Sequence, residues 1–209
     1  MKLIFQYILF TIFLFPSIAM AEYIEPGDVE VKTVRYRPGA LKKSEGTYVY
    51  RVSWQGIPVA KASVSVQDAV WGVKPALWVQ AFAKTVGPVK LFYNLDHKSE
   101  SVLNPKNYVP KFFRTDEKIN SKKRGRLISF KEGGKIHSRR WKEGRYDKKL
   151  NFISDNFTLD PISAAMLARS LPIKIGKEFT FDVYNGKHRY MINFDVVKKE
   201  KIRITGKKR

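Results

Sequence analysis

The side chains best suited to metal chemistry are few and lie far apart in the sequence. The chain has no cysteine and three histidines, His97, His137 and His188. A metal site needs three or four converging ligands, and the best fragment is Asp96 beside His97, which Glu100 or Asp116 could join. No H-x-H or H-E-x-x-H spacing occurs. We therefore predict solvated or hydrogen-bonded loop histidines, no metal site and no other cofactor.

The sequence also contains no complete motif for a hydrolytic enzyme. Ser163 falls on the first turn of a predicted helix, where backbone amides can stabilise an anion, but no G-x-S-x-G frame surrounds it. Asp96 and Glu100 could be the paired carboxylates of a glycoside hydrolase, although nothing distinguishes them from solvated surface acids. The Gly133-Gly134 pair lacks the flanking pattern of a phosphate-binding loop and is predicted to be a turn. We expect a protein that is not an enzyme.

The basic middle of the chain is more informative. Lys111 to Lys149 contains 15 basic and 5 acidic residues. Arginine binds phosphate with two parallel hydrogen bonds and stacks on aromatic faces, so this composition suits a phosphorylated headgroup or an anionic sugar chain. The alternative is a solvated strand face whose aromatic side chains point into the core. The strand-flanking basic residues are Lys122, Lys123, Arg124, Arg126, Arg139, Arg140, Lys142, Arg145, Lys148 and Lys149, and the aromatic ones are Phe112, Phe113, Phe130, Trp141 and Tyr146.

The first 21 residues have the order of a secretory signal peptide. Lys2 precedes an apolar run from Leu3 to about Phe15, followed by Pro16 and the small-residue pattern Ala19-Met20-Ala21. A membrane anchor is the alternative, but the run is shorter than the roughly 20 residues that a bilayer span needs. Without cysteine there is no lipoprotein site. We predict cleavage near Ala21, a periplasmic chain and no transmembrane span after cleavage.

The net charge points to anionic partners. The formal charge is +21, and loss of the leader removes only Lys2, which leaves 39 basic and 19 acidic residues. A charge of this size attracts anions. Outside the cytoplasm these are an envelope phospholipid, lipopolysaccharide or glycan, or an acidic protein, while nucleic acid is excluded as a partner. The alternative is that the charge reflects a generally lysine-rich proteome.

Alternating apolar residues predict a strand-rich chain. Thr47–Trp54 and Val59–Val66 alternate around Gln55-Gly56, which predicts a hairpin. A second hairpin is predicted around Gly133-Gly134. The clearest strand pair flanks the Asn185-Gly186 turn signal. The other predicted strands are Leu77–Lys84, Val89–Asn94, Lys98–Leu103, Tyr108–Thr115, Arg126–Phe130, Lys135–Trp141, 179–183 and 188–196.

One helix is predicted, between an N-terminal cap and a proline. Asp160 precedes Pro161 at the first helical position, good helix formers follow, and Leu171-Pro172 ends the segment. Most strands follow one another through short turns. The pattern therefore predicts a mainly β fold, an antiparallel meander forming a curved half-barrel or open barrel, with one short helix near residues 160–170.

The order of several short motifs resembles a known family. The matching segments are Tyr48–Pro58, Ala83–Gly87, Asp96 with Glu100 and Ser101, Pro110 with Phe113, Asp160–Ala164, and Gly176 after Leu171-Pro172. Together they are similar to the periplasmic domain-of-unknown-function family 3108, from about Gly46 to the end. The resemblance implies an exported β-rich domain and no catalytic residues. Ala60 departs from it, since the family usually has glycine there.

The resemblance also sets the expected domain organisation. We predict a signal peptide at 1–21, an extended segment at 22–46 and a single β-rich domain at 47–209. The family continues beyond the equivalent of Ile204-Thr205-Gly206 with further strands. We therefore expect the chain to be either naturally short or a fragment, with an exposed sheet edge if strands are missing.

These observations favour a non-enzymatic binding or carrier domain for an amphipathic or anionic envelope ligand. A curved sheet would hold the apolar part of the ligand, and basic residues at its rim would bind the anionic part. The alternative is a structural or protein-interaction module that docks through its basic face. The candidate ligand-binding residues are Tyr50, Trp54, Trp78, Phe82, Arg124, Arg126, Arg139, Arg140 and Trp141.

Overall fold

The computed structural model describes residues 21–24, 33, 35–36 and 45–200. Apart from Ala21, the predicted leader lies outside the described residues, as does most of the predicted extended segment at 22–46. Within the described ranges, no helix is both long enough and apolar enough to cross a membrane.

The described part of the chain contains twelve strands and one α-helix. The strands are β1 Ala21–Ile24, β2 Gly46–Trp54, β3 Ile57–Trp71, β4 Lys74–Thr85, β5 Leu95–Leu103, β6 Pro110–Ile119, β7 Lys122–Phe130, β8 Lys135–Lys142, β9 Arg145–Ile153, β10 Thr158–Leu159, β11 Glu178–Tyr184 and β12 Arg189–Asp195, and the helix α1 is Pro161–Ser170. Strands β2 to β9 form one antiparallel meander in sequence order. A second sheet has the order β1-β12-β11-β10. Among the described strands β2 and β9 each have one neighbour, so the large sheet is an open half-barrel, as predicted.

Three predicted hairpins are confirmed. At the first turn, Gln55 and Gly56 both have positive φ, 47° and 79°, as the tight turn between β2 and β3 requires. The turn between β7 and β8 is built on Gly133 and Gly134. Strands β11 and β12 are joined by residues 185–188, and the Asn185 amide donates to the His188 carbonyl across this turn at 3.1 Å.

The predicted strand at Val89–Asn94 is wrong. Gly87 adopts a φ of +65° and Pro88 follows it, so the chain turns into a short 3₁₀ helix at Gly87–Leu91. A side chain at Gly87 would lie 2.6 Å from the Pro58 carbonyl oxygen. The turn therefore lies close against the start of β3, and the next strand starts only at Leu95.

Strands β9 and β10 were not predicted from the sequence. β9 contains Arg145, Lys148 and Lys149 and lacks a clean apolar alternation. It forms because β8 pairs with it along its length, from Lys135 opposite Ile153 to Lys142 opposite Arg145. Its edge position and exposed lysines are typical of strands protected from further pairing.

Helix α1 begins with the predicted cap. One Asp160 carboxylate oxygen accepts from the amides of Ile162 and Ser163, at 2.7 and 3.0 Å, and the Ser163 hydroxyl accepts from the Asp160 amide. Ser163 is therefore a structural first-turn residue. The second carboxylate oxygen accepts from the Ser101 hydroxyl on β5 at 2.7 Å, which ties the helix to the meander.

At its turn end the β11–β12 hairpin is buried on both faces. Phe179, Phe181 and Val183 pack against α1 and the meander residues Leu77 and Leu103. On the opposite face the Tyr184 ring joins a second cluster, and its hydroxyl is 2.7 Å from the Ser138 hydroxyl on β8. That second cluster is Phe113, Ile128, Ile136 and Tyr184.

A buried ion pair lies on this second face. Arg189 and Asp182 are 1% and 0% exposed, and Arg189 donates through Nε and Nη2 to the two Asp182 carboxylate oxygens. Thr158 on β10 donates to the same carboxylate at 2.8 Å, and Ser154 accepts from Arg189. The network therefore connects β10, β11 and β12 to the end of β9.

Breaking this pair should destabilise the fold strongly. Arg189→Leu leaves the Asp182 carboxylate buried without its partner, so we expect the free energy of unfolding in urea to fall by about 3–5 kcal/mol. Arg169→Leu, at the exposed end of α1, is the control and should change it little. The double variant Arg189→Leu/Asp182→Leu should recover much of the loss. If the double variant is as unstable as Arg189→Leu alone, the unpaired Asp182 carboxylate is not the cause of the lost stability.

Burial of Asp160 should make stability depend on pH. Burial raises the pKa of Asp160 from its ordinary value of 3.8 to about 6, although hydrogen bonds from Ser163, Ser101 and Ile162 oppose the rise. The native state therefore holds this proton more tightly than the unfolded state, so stability falls as the pH rises from about 4 to 6. A shift of this size corresponds to roughly 3 kcal/mol.

Asp160→Asn removes the titration and keeps the capping oxygen. We expect the difference in unfolding free energy between the two proteins to change over pH 4–6 and to be constant from pH 7 to 8. Asp195→Asn, an exposed substitution on β12, is the control. A difference that is flat from pH 4 to 8 would contradict the assignment.

Candidate functional site

Strand register divides the meander into two faces. Residues directly opposite each other on antiparallel strands point to the same side of the sheet. The core face carries Leu77, Leu103 and Ile128 and packs on α1 and the β11–β12 hairpin. The outer face carries the alternate residues, among them Trp78, opposite Val102.

Two cross-strand rows of the core face lie beside the packed part of the sheet. We call them the trough. One row is Tyr48, Val64, Ala81, Ser99, Thr115, Arg126, Arg140 and Lys148, and the next is Tyr50, Ala62, Ala83, His97, Glu117, Arg124 and Lys142. The first row neighbours the buried row through Val79, Ser101, Phe113 and Ile128. Each row runs from apolar residues on β2–β4 to basic residues on β7–β9.

Small side chains form the floor of the trough at its apolar end. Ala62 is opposite Ala83, and Val64 is opposite Ala81. On β2 the side chains are large and exposed, with Tyr50 at 50% and Trp54 at 47%. The alanines leave a low floor beside exposed aromatic rings, so this end offers an apolar surface to solvent.

The basic end holds an arginine cluster, which we define as Arg124, Arg126 and Arg140. Arg126 and Arg140 are directly opposite on β7 and β8, and Arg124 lies two residues before Arg126 on the same face. Like charges in directly opposed positions are destabilising. Asp147 reaches Arg140 at 3.5 Å, while no carboxylate of the described residues lies within 4.0 Å of Arg126.

Arg126 is the most confined member of the cluster. Burial lowers its pKa, the positive charges of Arg140 and Arg124 lower it further, and Glu117 opposes them. Its Nη1 donates to the Asn185 carbonyl at 3.5 Å, and a side chain at Gly186 would come within 3.2 Å of its aliphatic stem. Arginine has five N–H donors, and within the described residues this is the one hydrogen bond that its guanidinium makes. Donors therefore remain for an anion.

The middle of the trough is polar. His97 Nδ1 lies 3.6 Å from a Glu117 carboxylate oxygen, and Ser99 and Thr115 are buried between the two ends. Asp96 points to the outer face, so the sequence fragment of Asp96 beside His97 is divided between faces. Among the described residues, no group of three or more His, Asp or Glu side chains is placed to hold a metal ion.

The structure brings together five of the nine candidate residues and separates the other four. Tyr50 and Trp54 lie at the apolar end of the trough, and the arginine cluster lies at the basic end. The four on the outer face are Trp78, Phe82, Arg139 and Trp141. Arg139 and Arg140 are neighbours in sequence and lie on opposite faces of β8.

Sequence reasoning did not single out the floor residues. Ala62, Ala81, Ala83, Ser99 and Thr115 carry no chemical signature, because each is an ordinary strand residue on its own. The alternation of Ala60, Ala62 and Val64 was the available signal. It marked one face of β3 without showing which residues of β4 and β5 would stand opposite.

The arginine cluster should reduce stability. Arg126→Met removes one charge and keeps a long apolar stem against Gly186, so we expect the thermal midpoint to rise at low salt, by the equivalent of about 0.5–1 kcal/mol. Added salt should stabilise the parent protein more than the variant, because screening weakens the repulsion. Arg139→Met, on the exposed outer face, is the control and should change the midpoint less. A lower midpoint for Arg126→Met at low salt would show that the cluster is not repulsive.

Comparison with known proteins gives a family and no further relative. Residues 49–209 match the family described as protein of unknown function, DUF3108. No curated protein and no solved structure matches the chain. The match covers most of the meander, the helix and the β11–β12 hairpin. The chain therefore belongs to the DUF3108 family of proteins of unknown function.

Proposed function

We propose that this protein is a non-enzymatic periplasmic carrier that binds an amphipathic anionic lipid in the trough. The phosphate of the lipid would bind the arginine cluster, and an acyl chain would lie along the floor towards β2. The observation that carries the proposal is the directly opposed pair Arg126 and Arg140 at one end of the trough, with the small apolar floor at the other end and polar side chains between them. The predicted leader and the positive charge support an envelope location and an anionic ligand.

Electrostatics favour a phosphate at the basic end. Arg126 is partly buried beside two like charges, and the nearest acids, Glu117 and Asp147, lie close to His97 and Arg140 respectively. An anion placed between Arg126 and Arg140 would remove their repulsion and accept hydrogen bonds from both. Guanidinium groups bind phosphate oxygens in pairs, so a phosphate fits this pair better than a neutral headgroup.

Geometry favours an extended tail at the apolar end. The trough passes from β7 to β3 across four strand spacings, roughly 19 Å at 4.8 Å per spacing, and its floor lies at the β3 and β4 end. Ala83 and Ala62 continue it to Tyr50 and Trp54, whose exposed rings would cover a chain from one side. Burial of apolar surface of this kind contributes about 25 cal/mol per Å².

The test is a fluorescence titration with a labelled phosphatidylglycerol. We expect saturable binding at low salt by the parent protein and a loss of at least about tenfold for Arg126→Met/Arg140→Gln, because charge-assisted hydrogen bonds contribute about 1.5–3 kcal/mol each. Arg139→Gln changes the same charge on the next residue of β8, on the other face, and should leave binding unchanged.

A second pair of variants tests the tail. Ala62→Phe places a ring on the floor and should weaken binding of the labelled lipid while leaving capture of a short-chain soluble analogue intact. Ser63→Phe places the same ring on the outer face and is the matched control. Equal effects of the two substitutions would overturn the placement of the tail.

Docking through the basic outer face is the second candidate. Arg139 is directly opposite Lys149 on that face, and both are exposed. A docking module would lose its partner with Arg139→Glu and keep it with Arg126→Met. The carrier proposal requires the opposite pattern in the lipid titration, so one set of variants distinguishes the two functions.

A further inference from the structure

We propose that the outer face carries a second, independent binding site for an acidic oligosaccharide. The site is a groove along one cross-strand row from β4 to β8, and we call it the outer groove. Its row is Phe82, Lys98, Asp116, Gly125 and Trp141. It contains two of the four candidate residues that the trough leaves out.

Aromatic rings stand at both ends of the outer groove. Phe82 on β4 is 41% exposed, and Trp141 lies on β8, four strand spacings away, or roughly 19 Å. The C–H face of a pyranose ring packs well on an aromatic ring. Two rings this far apart along one row match a chain of several sugars better than a single small molecule.

Gly125 fixes the position of the Trp141 ring. A β-carbon at Gly125 would lie between 2.0 and 2.3 Å from three atoms of the indole. The ring therefore lies flat across β7, over a position that no other residue can occupy without moving it. Laying an aromatic ring over a glycine on the neighbouring strand is a known way to stabilise a sheet. Here it also presents the ring towards Asp116.

A cation accompanies each ring. Lys98 Nζ lies 5.7 Å from the centre of Phe82, and the Arg114 guanidinium lies 5.8 Å from that of Trp141. Each cation also has a carboxylate partner on this face: Asp116 accepts from Arg114 Nε at 2.8 Å, and a Glu100 carboxylate oxygen lies 3.7 Å from Lys98 Nζ. A ligand with an apolar ring face and a carboxylate can satisfy a ring and its cation together, which is the chemistry of a uronic acid.

The cavities of this face agree with an acidic chain. One, of about 390 Å³, adjoins Phe82, and another, of about 290 Å³, adjoins Trp141, and both are lined by Asp96. The two cavities are therefore neighbours along the groove. Their outer-face charges are five lysines against two aspartates, namely Lys61, Lys84, Lys98, Lys118 and Lys123 against Asp96 and Asp116. The excess positive charge favours an acidic glycan over a neutral one.

The test is calorimetric titration of the full chain with a tetrasaccharide of galacturonic acid and with cellotetraose as the neutral match. We expect saturable binding of the acidic tetrasaccharide that weakens with salt, and weaker binding of cellotetraose. Trp141→Ala and Phe82→Ala should each weaken it by about two- to tenfold, since loss of one stacked ring costs about 0.5–1.5 kcal/mol. Trp71→Ala is the matched control, because Trp71 is an exposed outer-face tryptophan beside Phe112, away from the groove.

Further variants separate binding from folding. Lys98→Gln and Lys118→Gln keep the aromatic rings and should reduce affinity for the acidic tetrasaccharide while leaving that for cellotetraose nearly unchanged. The labelled-lipid titration is repeated on Trp141→Ala, and unchanged lipid binding would show that the variant is folded and its trough intact. Absence of saturable tetrasaccharide binding, or equal losses with Trp71→Ala and Trp141→Ala, would overturn the proposal without affecting the lipid site.

Discussion

The buried ion pair of Arg189 and Asp182 is the interaction on which the rest of the structure depends. A hairpin with one apolar and one polar face would normally leave the polar face in water. Here both faces of β11–β12 are buried at the turn end, so Asp182 and Arg189 must satisfy their hydrogen-bonding groups internally. The bidentate pair does this, with Thr158 and Ser154 accepting or donating the remaining hydrogen bonds. The hairpin can therefore pack on the core face of the meander with both of its faces, beside α1 on one of them.

The trough begins beside the part of the core face that the hairpin and α1 cover. Ser101 and Ser138 lie under the helix cap and under Tyr184, and their hydroxyls bond to Asp160 and to the Tyr184 hydroxyl. One row further along the strands, a side chain at Gly186 would lie 3.2 Å from the stem of Arg126, and Ser99 and Thr115 in the same row are still buried. Beyond this boundary the core face changes from packed apolar side chains to a small-residue floor with an arginine cluster at one end. The edge of the second sheet thus defines where the candidate lipid site begins.

Much of this architecture was predictable from local patterns, and the failures have physical causes. Asp160-Pro161 identified the helix start, and the turns at Gln55-Gly56 and Asn185-Gly186 identified hairpins, because these residues act over a few positions. Val89–Asn94 was misread because its apolar residues suggested a strand, whereas Gly87 and Pro88 impose a turn. β9 was missed because its pairing with β8, and not its own composition, makes it a strand. Arg139 and Arg140 were predicted as parts of one ligand-binding set, whereas the register between strands places Arg140 opposite Arg126 and Arg139 on the other face of β8.

The distribution of charge distinguishes a binding surface from a merely solvated one. Exposed lysines at an edge strand such as β9 cost little, because water screens them and they prevent further strand pairing. Arg126 is different, since it is partly buried and directly opposite Arg140, and burial lowers its pKa. Folding alone gains nothing from placing two guanidinium groups together in a confined position. In the carrier proposal an anionic ligand would relieve this repulsion, and the alanines at the other end of the trough would contact its hydrocarbon chain. The positions of Arg126 and Arg140 therefore limit the proposed function more than the +21 charge of the whole chain does.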